Sequence, residues 1–474
     1  MNEAAARILP GNLQSQLARI GELLEHRWSP EDGVWTAEQA AAAERERLAA
    51  VQREIADLHP ADIAYILEAL PPEQRLVVWN LVRSDHDGDI LLEVSDPVRE
   101  SLLADMDRPE LLAAAEGLDA DELAELAEDL PEDVLEELMH RLNAEQRGRV
   151  QSAMSWEDDQ VGAIMDFDMV TLREDVTLET VLRYLRRLKE LPEQTDKLFV
   201  VNEDTVLTGV LPLRWLLVND PARRVSEVMA ADANTFRPED DVAEVAQAFE
   251  RYDLVTAPVV DSEGRLIGRL TIDAMVDVIR EESDQEVRER FGLREDEDIF
   301  ASVWSSLKNR WAWLAINLVT AFIASRVIGI FEDSIHQLVA LATLMPIVAG
   351  IGGNSGNQTI TMIVRALALG HLSLAGAKRL LRKELGVALA NGLIWGGVIG
   401  IVAGLLYENL NLGVVMTAAM ALNLMLAALM GVLIPMTLLK LGRDPAMGSS
   451  VMITALTDSG GFFIFLGLAT LFLI

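Results

Sequence analysis

The chain contains no cysteine, which excludes disulfides and thiolate metal sites. It is also short of positive charge. Against 75 Asp and Glu there are only 40 Lys and Arg, a formal net charge of −35 over 474 residues. The deficit is uneven: residues 301–474 hold 10 basic and 6 acidic side chains, leaving 30 basic and 69 acidic ones in residues 1–300. An acidic surface of that size repels nucleic acid and anionic lipid and attracts cations. The first residues (MNEAAARILPGNLQ) lack the basic-then-apolar order of a signal peptide. No Gly-rich loop ending in Gly-Lys-Ser/Thr is present, so nothing points to an ATPase. The expectation is an acidic portion that stays in the cytoplasm, followed by a membrane portion.

Five apolar stretches are long enough to cross a bilayer, roughly Trp311–Ile330, Ile335–Val364, Leu385–Leu406, Leu412–Leu439 and Ala446–Leu473. Their loops alternate in charge. Lys308 and Arg310 precede the first span, Arg365, Lys378, Arg379, Arg382 and Lys383 follow the second, and Lys440 and Arg443 follow the fourth. The other two loops carry Glu332, Asp333 and Glu408 and no Lys or Arg. The positive-inside rule then puts the N-terminus in the cytoplasm and the C-terminus outside, in a multi-pass protein of the cell (inner) membrane. His336 and His371 fall at span edges and read as interfacial residues, and Arg326 reads as a snorkelling side chain.

Asp458 is the only charged residue between Pro445 and the C-terminus. A lone carboxylate in a membrane helix is costly and by default faces a partner, a water-filled cavity or an ion path. A membrane aspartyl protease would need a second deep carboxylate, and no enzyme site is evident. The second span contains Pro346, then Gly350-Ile-Gly352-Gly353-Asn354-Ser-Gly356-Asn357-Gln358. This run is expected to interrupt the helix and line a pore; the alternative is close helix packing through glycines. Gly392, Gly396, Gly400 and Gly404 form a small-residue stripe in the third span, suited to packing within one chain or between two.

Residues 37–155 read as acidic and helical. Ala37–Leu58 is rich in strong helix formers, and Leu58–Leu70 is echoed sixty residues on by Leu118–Leu130, each followed by proline, as in a small helical solenoid. Asp85-His-Asp87-Gly88-Asp89 is not a calcium loop, because its glycine and its twelfth residue, Asp96, do not match. Residues 156–282 contain a strand-and-helix repeat. Gly162-Ala-Ile-Met165 is echoed by Ser226-Glu-Val-Met229, and Phe199–Leu211 by Pro258–Leu270, with Gly209 and Gly268 at equivalent places. This resembles a tandem pair of CBS domains. Such pairs often bind adenine nucleotides through a ribose-contacting Asp, but the corresponding positions here are Trp215 and Ala274, which argues against ATP.

A helical acidic domain, a CBS pair, a charged connecting segment and five spans together resemble the MgtE family of magnesium channels. The most specific parts are Gly352–Gln358 and Thr457-Asp458-Ser-Gly460. The resemblance implies an α-helical N-terminal superhelical domain (37–155) after a tail (1–36), α/β tandem CBS domains (156–282), a plug-like connecting helix (283–308) and a five-helix transmembrane domain (309–474). It implies a homodimer in lipid whose pore passes hydrated Mg²⁺ by way of Asp458, Gly353, Asn357 and Thr454. It further implies closure by Mg²⁺ at cytosolic carboxylates matching Asp89, Asp121, Glu125, Asp253, Asp277 and Glu282. Independently, Mg²⁺ keeps several waters and takes one or two carboxylates, which suits a lone aspartate among amides. The competing readings are a broader Co²⁺/Mn²⁺ transporter and a membrane-anchored CBS nucleotide sensor without ion flux.

Overall fold

The computed structural model describes residues 10–25, 37–84, 86–293, 297–368, 372, 376–445 and 448–474. His371 and the first residue of the Asp85–Asp89 run therefore lie outside the described residues. The chain forms two compact units, residues 1–282 with 296–300, and residues 283–295 with 301–474.

Among the described residues the first unit begins with ten helices: α1 (Pro10–Glu25), α2 (Ala37–Ile55), α3 (Pro60–Glu68), α4 (Pro72–Trp79), α5 (Asp87–Glu93), α6 (Asp96–Leu103), α7 (Arg108–Ala115), α8 (Ala120–Ala127), α9 (Glu132–Arg141) and α10 (Ala144–Ala153). Local chemistry keeps them short. A proline sits in the first turn of α3, α4, α6 and α7, where its missing N–H costs nothing. Capping boxes start α7 (Asp107 with Glu110) and α10 (Asn143 with Gln146). The apolar faces share one core that includes Ile66, Ile90, Leu102 and Leu126. The stretch expected to be a tail contributes α1, whose Ile20 is fully buried in that core with Val51 of α2.

The α/β part follows as α11 (Val161–Ile164), β1 (Thr171–Arg173), α12 (Leu178–Leu185), β2 (Lys197–Val201), β3 (Leu207–Pro212), α13 (Leu213–Val218), α14 (Val242–Tyr252), β4 (Thr256–Val260), β5 (Leu266–Thr271) and α15 (Ile272–Phe291). β1 lies parallel to β2 and β2 antiparallel to β3, with Leu198 opposite Leu211. β4 and β5 form the second hairpin, with Ala257 opposite Leu270. The two repeats exchange edges: Asp166, ahead of β1 in the first repeat, bridges to Arg269 in β5, and Ala230, ahead of β4 in the second, bridges to Val210 in β3. The equivalent glycines permit this exchange. A Cβ on Gly209 would stand 2.5 Å from the Ala230 carbonyl, and one on Gly268 3.1 Å from that of Asp166.

Among the described residues the connecting helix is the second half of α15, not a separate element over 283–308. α15 runs straight out of β5 and stops at Gly292, whose φ of +74° is a left-handed cap. Leu293 N–H closes it on the Arg288 carbonyl at 3.0 Å, and the Trp313 ring fills the space a side chain on Gly292 would need.

In the second unit, Ser302 caps α16 (Val303–Ile330), followed by α17 (Glu332–Gln337), α18 (Ala340–Ala368), α19 (Ala377–Leu406), α20 (Leu410–Lys440) and α21 (Ser449–Phe472). Among the described residues, α16, α19, α20 and α21 are long and apolar enough to cross a membrane. α18 has the length, 29 residues, but its Gly-Asn-Gln run dilutes its hydropathy. The expected interruption at Gly352–Gln358 is absent, and α18 is helical from end to end. Packing overrides the weak propensity of that run: Gly352 meets Asn423 of α20, and Gly356 meets Ile453 of α21. The stripe on α19 packs within the chain, with Gly392 against Ala421 and Gly396 against Met420 and Thr417 of α20.

Arg75 is fully buried in the first unit, 223 residues from its partner Asp298. It donates to the Leu67 carbonyl at 2.9 Å, the Leu70 carbonyl at 3.1 Å and Asp298 Oδ2 at 2.7 Å. Arg75→Met strands a largely buried carboxylate and the Leu70 carbonyl, so α3 and α4 should lose about 3 kcal/mol of protection. Native-state hydrogen exchange on the full chain checks this, and unchanged exchange in those helices would contradict it.

Candidate functional site

In the second unit, α18, α20 and α21 meet along a glycine-lined junction. Matching residues rise together on α18 and α20 (Gly352 with Asn423, Gly356 with Ala427, Thr359 with Gly431), so these two helices run parallel. On α21 the order reverses: Gly353 faces Thr457, and Gly356 faces Ile453. Thr457 is fully buried, and its hydroxyl donates to the carbonyls of Ile453 at 2.8 Å and Thr454 at 3.2 Å. A Cβ on Gly353 would lie 3.6 Å from that hydroxyl. Asp458 is the next residue, half-buried, and makes no ion pair among the described residues. Gly353 and the Thr454–Asp458 turn are thus brought together. Asn357 lies one turn further along α18, its carbonyl accepting from Thr361 at 2.7 Å. The Thr454 hydroxyl donates to the Ser450 carbonyl at 2.8 Å.

Three polar residues of this unit escaped the sequence reading. Asn423 is fully buried on α20, and its Oδ1 has no partner among the described residues, an arrangement that costs about 1–3 kcal/mol. A single amide inside the otherwise apolar run Ala418–Leu429 was the available signal. Glu384 is buried near the start of α19, 3.2 Å from Lys383. On α15, Glu289 accepts from Gln285 at 3.0 Å and faces Asp444, in the loop before α21. Burial first, and then the Asp444 carboxyl, push its pKa up.

In the first unit the candidate sensor carboxylates fall into two classes. Asp121, in the first turn of α8, shares a pocket with Asp119, Arg149, Asp166 and Asp168. Asp166 is anchored by the buried Arg269 at 2.6 Å. Burial above all, and the Asp166 charge next, push the Asp121 pKa up to about 7. Asp89 and Asp277 both act on Glu93, the last residue of α5, whose pKa is raised by burial and then by Asp277, more weakly by Asp89. Asp277 is itself raised by burial and by Asp273. These groups are like charges crowded where the helical part meets the α/β part.

The other candidates are placed differently. Glu125 accepts from the buried Arg99 at 2.7 Å, which also holds Asp96 and Asp129. Asp253 is an exposed left-handed cap of α14 (φ 51°), and Glu282 is exposed on α15. No group of three His, Asp or Glu poised to hold a metal ion occurs among the described residues.

A family described as a divalent cation transporter (MgtE) matches residues 345–468, the MgtE intracellular N domain matches 58–159, and CBS domains match 161–214 and 225–281. The chain is 32% identical over 435 residues to the magnesium transporter MgtE of Thermus thermophilus, covering 90% of this chain and 95% of that one. It is 30% identical over 419 residues to the magnesium transporter MgtE of Bacillus subtilis, covering 88% and 93%. Among solved structures, the cytosolic domain of the Mg²⁺ channel MgtE in complex with ATP aligns with a TM-score of 0.46 and 33% identity, over 50% of this chain and 97% of that one.

Because Asp121 binds its proton more tightly folded than unfolded, it supports the fold at low pH. That support is lost as the pH rises from about 4, the ordinary Asp value, towards the folded value of about 7. Asp121→Asn should flatten the fall in thermal midpoint across that window, and Mg²⁺ above pH 7 should raise the wild-type midpoint more than the variant's. Superimposable pH profiles would contradict the placement of Asp121.

Proposed function

The chain belongs to the MgtE family of magnesium transporters, and we propose that it is a passive channel carrying hydrated Mg²⁺ into the cytoplasm, closed when cytosolic Mg²⁺ occupies the acidic first unit. The observation that carries this reading is Asp458, a carboxylate with no ion pair among the described residues, on an apolar helix beside the glycine-lined seam of α18 and α21. A carboxylate flanked by amides and carbonyls suits a cation that sheds water reluctantly. An imidazole or thiolate cage, which would select a softer metal, is not part of the proposal. An inside-negative potential of about 100 mV favours entry of a divalent ion by about 4.6 kcal/mol, so no nucleotide hydrolysis is required. Gly353, Asn357 and the Thr454 backbone are the assisting groups.

Closure follows from the crowding in the first unit. Asp121 against Asp166, and Glu93 against Asp277 with Asp89, repel when bare, and a divalent ion between them replaces repulsion with attraction. Mg²⁺ can bias an open–closed equilibrium only through this difference in affinity between states. Glu289 and Asp444 offer a further carboxyl pair in the second unit. Glu125, which shares Arg99 with Asp96 and Asp129, and the exposed Asp253 and Glu282 are weaker members of the proposed set. The proposal includes α18 as the fifth span, a cytoplasmic N-terminus, a homodimer, and a division of labour among a helical domain, a CBS pair, the α15 connector and the membrane helices. ATP is not part of it, since Trp215 and Ala274 stand where a ribose-binding carboxylate is required.

Mg²⁺ flux into proteoliposomes tests the path. Wild type should transport, Asp458→Ala should not although folded, and Co²⁺ and Mn²⁺ should compete only weakly. Equal flux in both proteins would remove Asp458 from the mechanism. Raising Mg²⁺ on the cytosolic face should inhibit wild type, and Asp121→Asn combined with Glu93→Gln should shift that inhibition to higher Mg²⁺. An unshifted curve would remove these carboxylates from the sensor.

A further inference from the structure

Asn423 sits where three helices of the second unit converge. Its Nδ2 donates to the Val348 carbonyl of α18 at 2.9 Å, and this bond fixes which end of the amide is which. Two glycines make room for it. A Cβ on Gly352 of α18 would collide with the Asn423 amide, and one on Gly461 of α21 would stand 2.7 Å from Nδ2. One side chain on α20 thus fills the notch in both partner helices.

Stability gives a poor account of an amide at this position. The residue is fully buried, its Oδ1 accepts no hydrogen bond among the described residues, and its neighbours Leu422, Leu424, Met425 and Leu426 are all apolar. An orphaned buried acceptor is costly, and a single interhelical bond in a membrane repays little. What the amide supplies and a leucine cannot is direction. Apolar surfaces tolerate a slide along the helix axis, whereas a hydrogen bond to one particular carbonyl does not.

The register it sets is that of the ion path. Gly352 directly precedes Gly353, and Gly461 follows Asp458 by three residues, about one helical turn. We propose that Asn423 is a positioning residue for transport: by bonding to Val348 and seating in the Gly352 and Gly461 notches, it fixes the height of Gly353–Asn357 against Thr457–Asp458. This deepens the Mg²⁺ channel reading and rests on it. Asn423 acts through the path residues.

The test uses the full chain in proteoliposomes, with maximal Mg²⁺ flux, half-saturating Mg²⁺ and, in detergent, the thermal midpoint. Asn423→Leu should keep a midpoint at or above wild type while maximal flux falls about tenfold or more, as the loss of an outer support of a metal site does. Asn423→Asp is the conservative partner. Its neutral form can still donate to the Val348 carbonyl and its ionised form cannot, so its flux relative to wild type should be highest at low pH and fall as pH rises. Asn423→Leu matching wild type in both maximal flux and half-saturation overturns the inference. So does a loss of flux that tracks a lowered midpoint, with Asn423→Asp no better at any pH. Wild-type protein that carries no Mg²⁺ would sink the channel reading and this inference together, whereas wild-type flux with an unaffected Asn423→Leu sinks this inference alone.

Discussion

An ionised carboxylate held away from bulk water must find a positive charge, and the architecture of this chain turns on that requirement. Where the fold holds a largely buried carboxylate, it supplies arginine: Arg75 for Asp298 and Arg269 for Asp166. Asp458 on α21 has no such partner among the described residues, and Asp121 and Glu93 are crowded by further acids. On the proposed reading these groups are completed by a mobile divalent ion, which can leave again, as a guanidinium cannot. The same physical need then serves structure in one place, and transport and its regulation in others.

The second constraint is close approach. Four glycines of α19 let it lie on α20, and Gly352, Gly353 and Gly356 let α18 lie on α20 and α21. Apolar driving force between helices is weak in lipid, so contact of this closeness is what holds such a bundle together. It also brings Gly353 against Thr457, the residue before Asp458. Packing and the candidate path are therefore the same surface.

Much of this was legible in the sequence because it rests on local or periodic signals. The apolar runs, the CBS repeat with its paired glycines and the isolation of Asp458 all needed only neighbours along the chain. The continuity of α18 was not legible: propensity argues for a break at Gly352–Gln358, and only contacts with Asn423 and Ile453, distant in sequence, keep it helical. The sorting of the candidate sensor carboxylates was likewise hidden. Glu125 and Asp121 look alike in sequence, yet one lies on Arg99 and the other beside Asp166. Glu93, Glu289 and Asp444 carry no motif, and their partners come from other elements. Helix α1 was masked by the undistinguished composition of residues 1–36, although Ile20 and Leu24 have the spacing of one buried face.

The central claim is passive passage of Mg²⁺ itself, and the most direct test is the reversal potential of single channels in planar bilayers under an imposed Mg²⁺ gradient. The account predicts a shift of about 30 mV for each tenfold change in the Mg²⁺ ratio, the value for a divalent ion moving alone. A current whose reversal potential ignores the Mg²⁺ gradient, or follows that of a co-transported ion, would contradict it.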